Sequence, residues 1–328
     1  MGEYRFATHA EIADRASLHQ ALSDLNGLTF GHYSGVVVAS PSFMAWYTAR
    51  PGMDPRLCQA ALAGDQLVSS LFVTLVPMGL AGEMVPCGLI DTVMTHPDHR
   101  RRGLARQLLE QAIAAMKEAG AGAGFLNTAQ VDPPAGPQRL YESLGYCAYS
   151  PVDRFVKSPP HEAEAAPATR VAADDAARAV FTQRLGCRSG WIALDEALWR
   201  WRRLERPSQY PAAIYRGGEG GLGVICTGDL LVEGQPRPFS AISDLAPSRR
   251  GQVGALLRSL LAAAPRDAPA TVLCPHSDTC LAQALHAADF RPVGTEIGML
   301  LPLSSKASAL VQRPPSEWYV AVESIIGI

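Results

Sequence analysis

Thr92-Val-Met-Thr-His-Pro-Asp-His-Arg100-Arg101-Arg102-Gly103-Leu104-Ala105-Arg106 joins two kinds of sequence period. Before it, Gln66 to Val76 and Gly88 to Thr95 are apolar runs of strand length, rich in Val, Leu and Thr. The turn Gly79 to Glu83 parts them, and they read as neighbouring antiparallel strands. After the junction, Leu104, Leu108, Leu109, Ile113 and Met116 recur at helical spacing. They predict an amphipathic helix that packs on the sheet and stops at Gly120. Phe125 to Ala129 then reads as a further strand, and Gln138 to Leu144, opened by Pro137 and closed by Gly145, as a short helix. The pattern is mixed α/β.

A strand that turns directly into a helix N-terminus is an anion site. The first amides of a helix lack intrahelical acceptors and the helix dipole is positive there, so main chain alone can hold a pyrophosphate. Gly103 removes a Cβ that would block the approach, and Ala105 is the next smallest side chain. Arg100, Arg101, Arg102 and Arg106 add charge that reaches phosphate oxygens.

Arg100-x-x-Gly103-x-Ala105 fits the Gln/Arg-x-x-Gly-x-Gly/Ala pattern of the GNAT acetyltransferase superfamily, and Leu140-Tyr141-Glu-Ser-Leu144-Gly145-Tyr146 resembles that superfamily's closing element. The likeness covers roughly residues 88 to 150. It implies acetyl-CoA as cosubstrate. Val93, Met94 and Thr95 would then lie on a splayed strand that pairs with pantetheine, and Arg101, Arg102, Gly103, Leu104, Ala105 and Arg106 would surround the pyrophosphate. Tyr141 would sit near the thioester sulfur. Many relatives carry an Asn that touches the cofactor at the position where Pro134 stands here.

Acyl transfer needs a neutral amine, a stabilised oxyanion and a proton for the departing thiolate. A backbone amide near Met94 suits the oxyanion, and Tyr141, protonated near neutrality, suits the thiolate. Asp91 is the candidate base, because alternation along a strand points it the same way as Val93 and Thr95; Glu83 or a water chain is the alternative.

The stretch Ser158 to Thr169, rich in Pro, Ala and Glu, reads as a linker between an acetyltransferase domain at 1–157 and a second unit at 170–328. The halves repeat one succession. Trp46 with Arg50-Pro51 answers Trp201 with Arg206-Pro207, and Arg101-Arg102-Gly103 answers Arg249-Arg250-Gly251. The expected architecture is two GNAT-like domains, each a mixed, mostly antiparallel sheet flanked by helices. The second is degenerate: with Gly251 set against Gly103, Ser248 replaces Arg100 and Val253 replaces Ala105, while Leu285 replaces Tyr141. It is expected to fold without catalysing. The tail from Trp318 to Ile328 is apolar enough to dock.

A formal charge of −2 leaves no global field for nucleic acid or an anionic membrane, and three arginines without interleaved aromatics do not make a nucleic-acid surface. The N-terminus lacks an apolar leader, and no apolar run reaches the roughly 18 residues of a membrane span. A cytoplasmic location is expected. The seven cysteines are scattered and odd in number, so they read as reduced. Cys274-Pro-His276-Ser-Asp278-Thr-Cys280 lacks a fourth metal ligand in register, and His96 and His99 read as turn residues, so no metal is expected. The expected reaction is acetyl transfer to the primary amine of a small molecule by a monomer or homodimer. A longer acyl donor, a protein amine acceptor, or a non-catalytic acyl-CoA sensor or scaffold are the alternatives.

Overall fold

The computed structural model describes residues 4–12, 14–31, 36–37, 39–130, 136–160, 165–233 and 235–312. Pro134, part of the expected linker and the apolar tail lie outside them. In the first half the strands are β1 (Tyr4–Thr8), β2 (Val36–Val37), β3 (Gln59–Ala63), β4 (Gln66–Leu80), β5 (Glu83–Thr95), β6 (Ala123–Ala129) and β7 (Cys147–Lys157). The helices there are α1 (Arg15–Phe30), α2 (Pro41–Thr48), α3 (Leu104–Glu118) and α4 (Pro137–Ser143). The second half adds β8 (Thr169–Val171), α5 (Asp175–Leu185), α6 (Glu196–Arg203), β9 (Ala212–Arg216), β10 (Leu222–Val232) and β11 (Gln235–Ala246). It ends with α7 (Val253–Ala263), β12 (Ala270–Pro275), α8 (Thr279–Ala287), β13 (Arg291–Pro302) and α9 (Ser305–Val311).

Among the described residues all thirteen strands belong to one sheet, ordered β1-β3-β4-β5-β6-β13-β7-β12-β11-β10-β9-β8, with β2 added to β10. Read inward from either edge, the order is the same, and the two central strands are exchanged. β13, from the end of the chain, lies between β6 and β7, while β7 lies between β13 and β12. β13 is antiparallel to both its neighbours, with Gly298 opposite Asn127 of β6 and Ser150 of β7. The two tryptophans that repeat in sequence meet at this centre. Trp46 and Trp201 stack with centroids 4.3 Å apart and planes 6° from parallel, and Trp201 Nε1 donates to the Trp46 carbonyl at 2.9 Å.

On one face of the first half, α3 lays its apolar stripe on β4 and β5: Leu104, Leu108, Leu109, Ala112 and Met116 pack with Leu71, Val73 and Ile90. Leu108 and Leu109 are wholly buried, each contributing roughly 2 kcal/mol. The approach is close because Gly88 lies under the helix, where an added Cβ would fall 2.1 Å from Met116 Sδ. On the opposite face, Leu18, Leu22 and Leu25 of α1 and Phe43, Met44 and Tyr47 of α2 pack on Phe72 and Met94. Tyr210, Cys226 and Phe239 of the second half join that cluster, so the halves share a core.

His9 follows β1 and is buried against Phe72, with its Nε2 2.9 Å from Ser70 Oγ. Burial pulls its pKa down to about 4, against a backbone hydrogen bond at Gln59 that raises it and helped by the charge of His19. Between pH 6.5 and 4 the unfolded chain therefore binds the proton and the folded chain does not. The contribution is whole above pH 6.5 and is lost as pH falls toward 4, about 3 kcal/mol in all. Urea midpoints measured from pH 7 to 4.5 should drop accordingly, and less steeply for His9→Gln. Equal slopes would show that other groups carry the acid sensitivity.

Candidate active site

β4 and β5 pair in register as far as Phe72 opposite Asp91, then slip, so that Ser70 faces Met94. Two residues of β5, Thr92 and Val93, oppose Leu71 alone, and Thr92 takes φ 50°. This bulge reverses the alternation beyond it. Asp91 consequently shares a face with Met94 and Phe72, toward α1 and α2, whereas Val93 packs toward α3. The expectation that Asp91, Val93 and Thr95 look one way is corrected by that extra residue.

Asp91 is also occupied. The hydroxyls of Tyr47 and Thr92 each donate to Oδ1 at 2.9 Å, and Arg50 Nη2 donates to Oδ2. Arg50 is wholly buried, its guanidinium 4.3 Å over the Tyr47 ring and its Nε donating to Thr74 Oγ1 at 2.6 Å. Burial opposes the charge on Arg50, but Asp91 and Tyr47 beside it together outweigh that and raise the guanidinium above its ordinary range. Burial likewise raises the Tyr47 phenol. A base role for Asp91 would require breaking this pair, so the geometry assigns it to holding the bulge on α2. Glu83 stands at the far end of β5, paired with Lys306 Nζ at 2.7 Å.

Past the bulge the chain makes a 3-10 turn at Pro97–His99 and reaches α3 through Arg101 at φ 62° and Gly103 at φ 79°. Gly103 is the N-cap, and a left-handed cap favours the residue without a Cβ. A Cβ added there would meet nothing within 4 Å, so the space above the turn is open. The first helical bond runs from Gln107 N to the Gly103 carbonyl, leaving the amides of Leu104, Ala105 and Arg106 without an intrahelical acceptor.

The four arginines divide. Arg100 turns back on the protein, donating from Nε to the Thr95 carbonyl at 3.3 Å and from Nη2 to the Thr29 carbonyl at 3.5 Å. Arg102 bridges the Tyr4 hydroxyl at 2.8 Å and the Asp98 carbonyl at 2.9 Å. Arg106 donates to Ser143 Oγ at 2.7 Å and so ties α3 to α4. Arg101 is exposed and makes no such contact among the described residues. Arg100 is therefore a brace for the turn, and Arg101 is the guanidinium best placed to meet an anion.

β5 and β6 are parallel but pair only from Cys87 opposite Ala123 to Leu89 opposite Phe125. Beyond that row the two strands no longer pair, so among the described residues the backbone edge of β5 from Ile90 to Thr95 borders a gap rather than a partner strand on the β6 side. Asn127 lies on β6 two residues past the last pair, opposite Gly298 of β13. Both polar atoms of the Asn127 carboxamide are shut from solvent and lack a hydrogen-bond partner among the described residues. Sequence reasoning missed Asn127; its signal was a lone amide inside the apolar strand Ala123-Gly-Phe-Leu-Asn-Thr-Ala. Tyr141 of α4 is buried in the cluster on the α3 face, edge-on to Tyr146, and burial pushes its phenol up to about 12. Tyr141 and Asp91 thus stand on opposite faces of the sheet.

The second half repeats the cleft with different chemistry. β11 and β12 are parallel over Ser240 opposite Ala270 and Ala241 opposite Thr271, and a second bulge leaves Asp244 at φ 51°. The helix start differs. Gly251 lies inside a 3-10 turn at Arg250–Gln252 that runs straight into α7, and Gln252 rather than a left-handed glycine is the N-cap. Val253 is thus the first residue of α7, the place Leu104 holds in α3. Leu285 of α8 is wholly buried.

Among the described residues no three His, Cys, Asp or Glu side chains are grouped to hold a metal ion, and no helix is long and apolar enough to cross a membrane. His276 Nε2 lies 3.0 Å from Asp153 Oδ2.

Residues 18–148 match the acetyltransferase (GNAT) domain family. A search of curated proteins finds no match. Among solved structures, the chain resembles a GCN5-related N-acetyltransferase from Anabaena variabilis at 15% identity and a TM-score of 0.64, over 92% of this chain and 73% of that one. A GCN5-related N-acetyltransferase from Kribbella flavida gives 17% identity and a TM-score of 0.58, over 94% and 73%. Saccharomyces cerevisiae N-myristoyltransferase with bound myristoyl-CoA gives 10% identity and a TM-score of 0.69, over 91% and 79%. At these identities the likeness is one of fold: an acyltransferase fold of the GNAT type, extending over both halves.

Proposed function

We propose that the chain transfers an acetyl group from acetyl-CoA to the primary amine of a small molecule, using the cleft of the first half. The observation that carries this reading is the junction at Gly103: a left-handed turn with open space above it, three helix amides without acceptors, and a cleft between β5 and β6 beside them. A pyrophosphate fits the amides and Arg101, and an extended amide-bearing arm fits the unpaired edge of β5. Asn127, whose donors and acceptors are otherwise unmet, is assigned to hydrogen-bond the donor or the acceptor in the cleft. The second half completes the shared core without chemistry of its own, and the enzyme works in the cytoplasm as a monomer or homodimer, without metal or nucleic acid.

In the reaction the neutral amine nitrogen bonds to the thioester carbonyl carbon, the carbon–sulfur bond breaks, and the amine's surplus proton passes to water. Tyr141 serves the sulfur. A phenol held near 12 gives up its proton less readily than a thiol of about 8.5, so Tyr141 acts by hydrogen-bonding the developing thiolate rather than by protonating it outright.

Thiol release from acetyl-CoA across a panel of amines tests the reading. Arg101→Glu should raise the KM for acetyl-CoA roughly tenfold with kcat little changed, because it acts on bound phosphate. Asn127→Ala should lower kcat/KM by roughly 10 to 10²-fold if the amide contacts the reacting ligands. Acetyl-CoA binding without thiol release for any amine would favour the sensor, and release only from long-chain thioesters would favour a longer donor.

A further inference from the structure

We propose that the second half holds its own ligand cleft, which binds a small phosphorylated molecule through guanidinium groups and performs no acyl transfer. The cleft is a cavity of about 270 Å³ where β11 and β12 part, at the place in the second half that the β5–β6 cleft takes in the first. Arg184 and Arg188 reach it from the end of α5 and the turn after it, and Arg249 and Arg250 from the turn before α7. Arg184 Nη1 is positioned by the Ala246 carbonyl at 3.0 Å and Arg188 Nη1 by Asp278 Oδ2 at 3.2 Å.

Against these four guanidiniums the lining carries two carboxylates, Asp244 and Asp278. Asp278 is engaged by Arg188, and the Asp244 carboxylate is held from behind the wall by Arg202 and Arg203. The lining is positive by four minus two, before the two arginines behind it are counted. Arginines approaching one cavity from two elements suit the forked recognition of a phosphate or diphosphate.

Two further atoms point to a ligand. Ser243 and Asp244, 3% and 4% exposed, line the cavity, and Ser243 Oγ and Asp244 Oδ1 have no hydrogen-bond partner among the described residues. A carboxylate oxygen accepts only, so its complement is a hydroxyl or amide N–H on the ligand. The ligand is therefore a phosphate ester carrying a donor close to its phosphate. Nucleotides and coenzyme A on one hand, and sugar phosphates on the other, share that chemistry. The contrast with Gly103 is physical: without a left-handed glycine cap, this cleft offers side chains where the first offers main chain. Leu285 brings no hydroxyl, so binding here leads to no transfer.

Calorimetric titration of the full chain with inorganic pyrophosphate, and separately with coenzyme A, tests this. Arg249→Glu/Arg250→Glu should weaken one of two pyrophosphate equivalents at least roughly tenfold while leaving the kcat and KM for acetyl-CoA within about twofold. Ser243→Ala, a small change inside the wall, should weaken the same equivalent without altering the near-ultraviolet circular dichroism. Loss of a coenzyme A equivalent alongside assigns a nucleotide-like ligand; loss of pyrophosphate alone assigns a smaller phosphate ester. A double variant that titrates like the parent with both probes overturns the proposal. Arg101→Glu reports on the first cleft separately, so absence of turnover would leave this result standing.

Discussion

Tyr141→Phe is expected to lower turnover about 10²-fold while leaving acetyl-CoA affinity within about twofold, since a hydrogen bond to a charged sulfur is worth up to about 3 kcal/mol. The ring stays where it is, buried among Leu126, Tyr146 and the α3 stripe, so folding should be unaffected. The phenol's high pKa adds a second readout. A group that remains protonated to about pH 12 produces no alkaline fall in kcat through the usual tyrosine range near 10. The parent enzyme should hold its rate at pH 10, and the variant should be slower by a constant factor throughout. Unchanged turnover in the variant would remove Tyr141 from the mechanism, and a wild-type fall near pH 9 would remove the hydrogen-bond role argued for it.

Asp244→Ala is expected to be the most destabilising single change, costing about 3–5 kcal/mol or more. Among the described residues its carboxylate alone faces both Arg202 and Arg203, whose side chains are 1% exposed. Burial and the charge of Arg202 pull the guanidinium of Arg203 down to about 9, and Asp244 counters only part of that. Without the carboxylate, two cations would be left facing each other in a medium that cannot solvate them. Urea unfolding followed by tryptophan fluorescence measures the loss, and adding Arg202→Met and Arg203→Met to the variant should restore much of it. Asp91→Ala removes the partner of one buried arginine and should cost less. Equal costs for the two aspartates would show that the count of unmatched cations does not decide the effect.

How much of this was legible in sequence depends on whether the signal is local. The strand-to-helix junction, the α3 stripe and the α4 start all rest on residues within a turn or two of one another, and they stand where periodicity put them. The direction of Asp91 was not legible, because one β-branched residue, Thr92, takes a left-handed conformation that its type disfavours and flips everything after it. Arg50 was visible only as part of a repeated Arg-Pro; its pairing with Asp91 crosses 41 residues. Gly251 misled because a glycine in a matching string need not occupy a matching backbone state: the turn around it winds one residue further before α7 begins. The exchange of β7 and β13 left no trace in the pattern, since alternation tells which face a residue takes and nothing about which strand lies beside it.

That exchange bears on how the polypeptide is made. β6 gains its second neighbour only when Arg291–Pro302 arrives, so the segment 1–157 leaves the ribosome with an unfilled seam and must wait for most of the remaining chain before it closes. Protease cleavage between Lys157 and Thr169 should accordingly yield two fragments that stay together under native conditions and separate only on denaturation, and either fragment expressed alone should be prone to aggregate along its raw edge.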